Sequence, residues 1–199
     1  MEHLVNQILL RGTLSQLPRF SHENHGKRFY DFSLEVERLS GTVDILPIIM
    51  PEQVLCQMDL SGGDMLEILG QIRTFNSHRE DGRKLIISVY AQTLAACEGV
   101  CINEVELTGT ICKPPVCRMT PLGRQICDVM LAVNRAYRRA DYIPCILWGQ
   151  TARLAASCSV GDVLHLTGRL QSRQYIKVLD GENLTRTAYE VSAMTAEII

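Results

Sequence analysis

Apolar and polar residues alternate with a period of two along most of the chain, and this pattern occurs twice. In the second half, Val105, Leu107 and Gly109 open a run that ends near Cys112, where Lys113-Pro114-Pro115 breaks it. Val129, Leu131 and Val133 place a second strand over about Ile126 to Asn134. A third strand runs from Asp141 to Trp148, after the polar stretch Arg135 to Ala140. Thr151 to Ala156 is short, alanine-rich and helical in propensity. After the turn Val160-Gly161-Asp162, a long strand passes from Val163 through Gly168 to Tyr175, and a last strand covers roughly Thr187 to Ile198. The first half predicts strands near 5–14, 29–38, 43–50, 64–75 and 84–93, with a short helix near Pro51 to Met58.

The two halves are copies. At an offset of 97 residues, Asn6 falls on Asn103, Gly12-Thr13 on Gly109-Thr110, Leu34 on Leu131 and Val36 on Val133. Arg38, Asp44 and Pro47 fall on Arg135, Asp141 and Pro144. One inserted residue later, Gly63-Asp64 falls on Gly161-Asp162 and Gly70 on Gly168. This period is a whole small domain, longer than a solenoid unit of about 20–50 residues. The expected division is 1–98 and 99–199, with the junction inside 95–102. Three strands, one short helix and two strands are the order of a five-stranded Greek-key OB barrel. The fold class expected is therefore all-β, two tandem barrels with one short helix after strand 3 of each. Interior Gly70 and Gly168 suit sharp bends in a small barrel.

Charge separates the copies. Residues 1–99 carry nine Lys/Arg and thirteen Asp/Glu, and residues 100–199 carry eleven and nine. The second copy is thus the better candidate for a phosphate-bearing partner. No signal peptide precedes the first strand pattern, and no apolar run approaches the roughly 20 residues that span a bilayer. A cytoplasmic protein with reduced thiols at all eight cysteines is expected, with no membrane partner. Cys97-x3-Cys101 and Cys112-x4-Cys117 complete no four-ligand zinc set, so neither metal nor cofactor is expected. There is no Gly-rich phosphate loop and no HExxH, the five histidines are scattered, and no enzyme is expected.

Short motifs of the second copy, in order, carry a family resemblance. They are Asn103-Glu104-Val105-Glu106-Leu107-Thr108-Gly109, Val129 to Arg135, Asp141-Tyr142-Ile143-Pro144-Cys145-Ile146-Leu147-Trp148-Gly149, Val160-Gly161-Asp162-Val163 and Leu166-Thr167-Gly168-Arg169-Leu170. In this order and spacing the chain resembles the bacterial single-stranded DNA-binding proteins and the related primosomal OB proteins. The resemblance covers most of 103–198 and is fainter over 6–93. It implies sequence-tolerant binding of single-stranded DNA in replication, repair or recombination. Aromatic rings would stack on bases, since every base has a π-face. Position by position the rings are Tyr142, Trp148 and Tyr175, with Tyr137 close to a fourth. Trp148 suits core packing and stacking equally.

Arg135, Arg138, Arg139, Arg169, Arg173 and Lys177 interleave with these rings, and Arg118 and Arg124 flank a hairpin tip at Thr120 to Gly123. Such a mixture tracks a phosphate backbone while rings hold bases. Copy one departs at these places: Leu39-Ser40 stands for Ala136-Tyr137, Ile45 for Tyr142, and Met50 or Pro51 for Trp148. It keeps Arg19, Lys27 and Arg28 with Phe20, Phe29 and Tyr30 near its first hairpin. Copy one is expected to be a degenerate binding surface, retained for assembly. The family usually works with four OB units, so a homodimer is expected. The chain stops at Ile199 right after the last strand, so no acidic C-terminal recruitment tail is expected. The competing expectation is an OB-fold protein-interaction module of a replication or mobile-element complex, with little DNA affinity.

Overall fold

The computed structural model describes residues 5–56, 58–79, 82–135, 139–179 and 182–199. Copy one comprises β1 (Asn6–Leu14), β2 (Arg19–Asn24), β3 (Lys27–Glu37), β4 (Val43–Pro51), α1 (Glu52–Leu55), β5 (Met65–Arg79) and β6 (Gly82–Ala96). Copy two repeats the order with β7 (Ile102–Ile111), β8 (Val116–Met119), β9 (Gln125–Arg135), β10 (Arg139–Trp148), α2 (Gly149–Ala156), β11 (Val163–Leu179) and β12 (Glu182–Ile198). Each barrel closes by the same circuit. In copy one β1 meets β3 and β5, β3 meets β4, β5 meets β6, and β4 joins β6 in parallel. In copy two β7 meets β9 and β11, and β10 joins β12 in parallel. The all-β pair of OB barrels expected from the pattern is what the chain forms. The sixth strand in each copy, β2 or β8, is the outer arm of a hairpin on β3 or β9.

The alternation fixes which residues face inward. Ile8, Leu10, Leu14, Leu34, Leu46 and Ile68 are buried, and so are their counterparts Val105, Leu107, Ile111, Leu131, Ile143 and Leu166. Each such side chain contributes about 1.5–3 kcal/mol relative to exposure. Gly70 and Gly168 sit at register shifts of β5 on β6 and of β11 on β12. A Cβ on either would collide with a backbone carbonyl, of Tyr90 or Ser192. The bend therefore needs glycine there because the partner strand passes too close.

The copies are joined about a pseudo-two-fold axis. β1 runs antiparallel to β7, pairing Asn6 with Leu107 and Leu10 with Asn103. Each repeated asparagine clamps a strand of its own copy. Asn6 Nδ2 donates to the Ile72 carbonyl at 2.9 Å, and Asn103 Nδ2 donates to that of Leu170 at 2.7 Å. The repeated aspartates clamp across copies. Asp44 accepts from Ser172 N (2.8 Å) and Ser172 Oγ (3.0 Å), and Asp141 accepts from Thr74 N (2.6 Å). Both carboxylates are fully buried, and guanidiniums neutralise them: Arg38 at Asp44, Arg73 and Arg135 at Asp141. A buried charge persists only when paired in this way.

The expectation of reduced thiols throughout is corrected at one pair. The β8–β9 register sets Cys117 opposite Cys127 with Cα atoms 4.0 Å apart, and the two form a disulfide. Their separation of ten residues carried no recognisable spacing, because the hairpin register decides the contact. Among the described residues no group of three His, Cys, Asp or Glu could hold a metal ion. No helix among them is long and apolar enough to cross a membrane.

Candidate nucleic-acid interface

The site is built where β10 ends. Trp148 is the last residue of β10, and Gly149 follows at φ +55°, a left-handed conformation that costs glycine little. The chain turns there directly into α2. Trp148 N donates to Thr151 Oγ1 at 3.0 Å, and that hydroxyl donates back to the Trp148 carbonyl at 2.9 Å. The backbone at the tryptophan is thereby fixed on both sides. Its indole Nε1 donates to Ser192 Oγ at 3.2 Å, which orients the ring, yet the residue is 38% exposed. Of the two readings left open for Trp148, the exposed ring is the one observed.

An open pocket of about 560 Å³ lies against this ring. Arg124, Arg169, Arg173 and, from copy one, Arg38 line it, against the single carboxylate Glu190. The buried Nε of Arg169 has no hydrogen-bond partner among the described residues. Arg173 is only loosely held, with Nε 3.9 Å from Glu190. Its guanidinium also lies 6.0 Å from the centroid of the Tyr175 ring, which is 37% exposed. A second pocket shares Trp148 and Arg124 and adds Arg153 of α2, an exposed cation. The expected residues Trp148, Arg124, Arg169 and Arg173 are thus brought together, with Tyr175 adjoining. Arg38 and Arg153 were missed. For Arg153 the signal was its place about one turn into α2, which starts right after Trp148; for Arg38 there was none, since it arrives from the other copy.

The remaining expected residues spread around this centre. Arg118 is exposed on the hairpin and paired with Asp128 at 2.9 Å. Tyr142, 46% exposed, sits at the junction of the copies with its N–H bonded to Thr74 Oγ1 at 2.8 Å. Its neighbour across β9 and β10 is Ala132, and the matching pair in copy one is Ile45 with Glu35. Arg139 is exposed, opposite Arg135. Arg135 itself points into the junction, with Nε 3.0 Å from Asp141 Oδ2. Burial pulls its pKa down, Asp141 opposes this, and Arg73 and Arg139 add to it. Arg135 is therefore already engaged as an internal counter-ion. Tyr137 and Arg138 lie outside the described residues, as does the side chain of Lys177, whose backbone belongs to β11.

The arrangement offers a flat aromatic face beside several cations that are not internally consumed. It can hold a planar ring by stacking and an anion by charge together. Burial pushes the Cys145 thiol up, and no thiolate nucleophile is set up there.

The similarities to known proteins fall on the same region. A family model described as the single-strand binding protein family matches residues 102–199. Single-stranded DNA-binding protein B of Bacillus subtilis (strain 168) is 39% identical over 80 residues, covering 37% of this chain and 71% of that protein. Single-stranded DNA-binding protein 1 of Lactococcus lactis is 38% identical over 81 residues, and the chain spans about half (54%) of its length. The crystal structure of the wild-type single-stranded DNA binding protein from Thermus aquaticus superposes with a TM-score of 0.81 at 23% identity, covering 98% of this chain and 93% of that one. The likeness of fold thus extends over both copies, while the likeness of sequence concentrates in the second. The chain belongs to the single-strand binding protein family.

Proposed function

We propose that this protein binds single-stranded DNA without reading its sequence, in DNA replication, repair or recombination, and is not an enzyme. Copy two carries the main contact surface. Trp148 is the principal stacking ring, with Tyr142, Tyr175 and Tyr137 alongside. Arg124, Arg169 and Arg173 face phosphate, with Arg118, Arg138, Arg139 and Lys177 around them. Arg135 holds the copies together rather than the strand. The observation that supports this most is the half-exposed Trp148 ring in a pocket with four guanidiniums and one carboxylate. Stacking adds about 1–3 kcal/mol per base whatever the base. The protein acts in the cytoplasm as a homodimer presenting four barrels, C2 being the commonest closed symmetry. Light scattering at micromolar concentration tests the dimer, which a monomer mass rules out.

Trp148 is the only tryptophan, so its emission reports this site alone. Titration with poly-dT at two salt concentrations should quench it saturably, more weakly at high salt. Saturable quenching supports the reading. Absence of quenching and of binding at low salt would overturn it in favour of a protein-interaction module.

A further inference from the structure

Copy one lacks a ring at the Trp148 position, but the strand register shows where its rings have gone. In copy two, Trp148 on β10 pairs with Ile126 on β9, and Ile146, two residues before it, pairs with Ser192 on β12. At the equivalent positions of copy one, Pro51 on β4 pairs with Phe29 on β3, and Ile49 pairs with Tyr90 on β6. The aromatic surface has moved one strand to either side. The Phe29 and Tyr90 centroids are 6.5 Å apart. His22 of the wholly exposed strand β2 stacks on Phe29 at 4.9 Å with an interplanar angle of 11°. The core beneath is already filled by Met50, Val89 and Phe32, so these rings lie on its outer side.

We propose that copy one carries a second base-stacking subsite for single-stranded DNA, formed by Phe29, Tyr90 and His22. It rests on the single-stranded DNA reading above and joins Tyr90 and His22 to Phe29, the hairpin ring noted in the sequence. Its electrostatics differ from those of copy two. Two nearby arginines are already paired: Arg28 is 3.0 Å from Glu52, and Arg73, 5.8 Å from the Tyr90 centroid, pairs with Asp141 at 3.2 Å. Contact here is therefore dominated by stacking, with little counterion release.

Photo-crosslinking of the full chain to oligonucleotides carrying 5-iodo-deoxyuridine, with mapping of the attached peptides, tests this without any substitution. Crosslinks at Phe29, Tyr90 or His22, besides those of copy two, are expected. The variant Phe29→Leu/Tyr90→Leu keeps apolar volume. With its fold checked by melting, it should quench Trp148 to the same extent yet cover about 4 or more fewer nucleotides of poly-dT per chain. Wild-type quenching with no crosslink in copy one and an unchanged covered length would overturn the subsite and leave the rings as packing of the hairpin. Copy-one crosslinks without Trp148 quenching would instead support the subsite and overturn the placing of the main site in copy two.

Discussion

The two copies share a barrel and differ in what they place on it. Most of their buried strand positions match, from Ile8 and Val105 to Ile68 and Leu166. Other positions do not. Ile45 stands for Tyr142, Pro51 for Trp148, Arg73 for Gln171 and the ring pair Phe20–Tyr30 for the Cys117–Cys127 disulfide. A barrel needs an inward apolar set and a glycine bend, and those are kept in duplicate. The outer surface is under no such packing constraint, so one copy has collected cations around an indole, while five arginines of the other are paired with carboxylates, Arg73 with Asp141 across the junction.

The largest expected difference concerns the junction. Asp141→Ala leaves Arg73 and Arg135 facing each other without their shared counter-ion, whereas Asp44→Ala leaves Arg38 alone. Breaking a buried pair costs about 3–5 kcal/mol, and Asp141→Ala should fall in that range. Asp44→Ala should cost less, about 1–3 kcal/mol, through unsatisfied donors at Ser172 and Arg38. Urea unfolding measures both, and equal losses would mean that the two clamps are equivalent.

Next is the ring. Trp148→Ala should weaken binding of a thymine oligonucleotide about ten- to a hundredfold, the equivalent of about 1–3 kcal/mol. Pro51→Ala, at the matching place, should leave affinity within about twofold, since proline offers no π-face. Comparable losses in the two variants, measured by fluorescence anisotropy of labelled DNA, would break the division between copies.

A smaller contrast is Tyr142→Ala against Ile45→Ala. The tyrosine variant should lose at least about tenfold in affinity. Ile45 is 50% exposed, so its truncation removes little packing. Ile45→Ala should therefore change stability by no more than about 0.5 kcal/mol and leave binding alone.

The smallest effect is with acid. Burial pushes the Asp44 carboxyl up, but the bonds from Arg38 and Ser172 outweigh it and hold the carboxyl below its ordinary value. A depressed carboxyl stabilises the fold above its unfolded pKa of about 3.9, and that contribution is lost as pH falls through the folded value. Thermal melts between pH 2 and 7 should show this loss below about pH 4, and Asp44→Asn should flatten it.

What was legible in the sequence follows from what is local. Period-two alternation and the repeated glycines placed the five barrel strands of each copy but not the outer hairpin arms β2 and β8, and the 97-residue offset paired Ile45 with Tyr142 as the strand register does. Arg135 looked like a cation of the site because it follows a strand among other arginines; its partner Asp141 and the neighbouring Arg73 are brought by folding. Cys117 and Cys127 meet through a hairpin register that composition does not reveal. Tyr90 escaped notice because the hairpin of β11 and β12 is longer than that of β5 and β6, so the last strands no longer align at the offset of the earlier ones.

The central claim is that the copy-two cations around Trp148 serve DNA, while the arginines of copy one that pair with carboxylates do not. The salt dependence of affinity for a thymine oligonucleotide tests it most directly, in Arg124→Ala/Arg169→Ala beside Lys27→Ala/Arg28→Ala. Each lost phosphate contact reduces the slope of log affinity against log salt by about 0.7 on single strands. The copy-two variant should bind more weakly with a slope flatter by about 0.7–1.4, and the copy-one variant should keep the wild-type slope. A flattened slope in the copy-one variant, with the copy-two variant unchanged, would contradict the account.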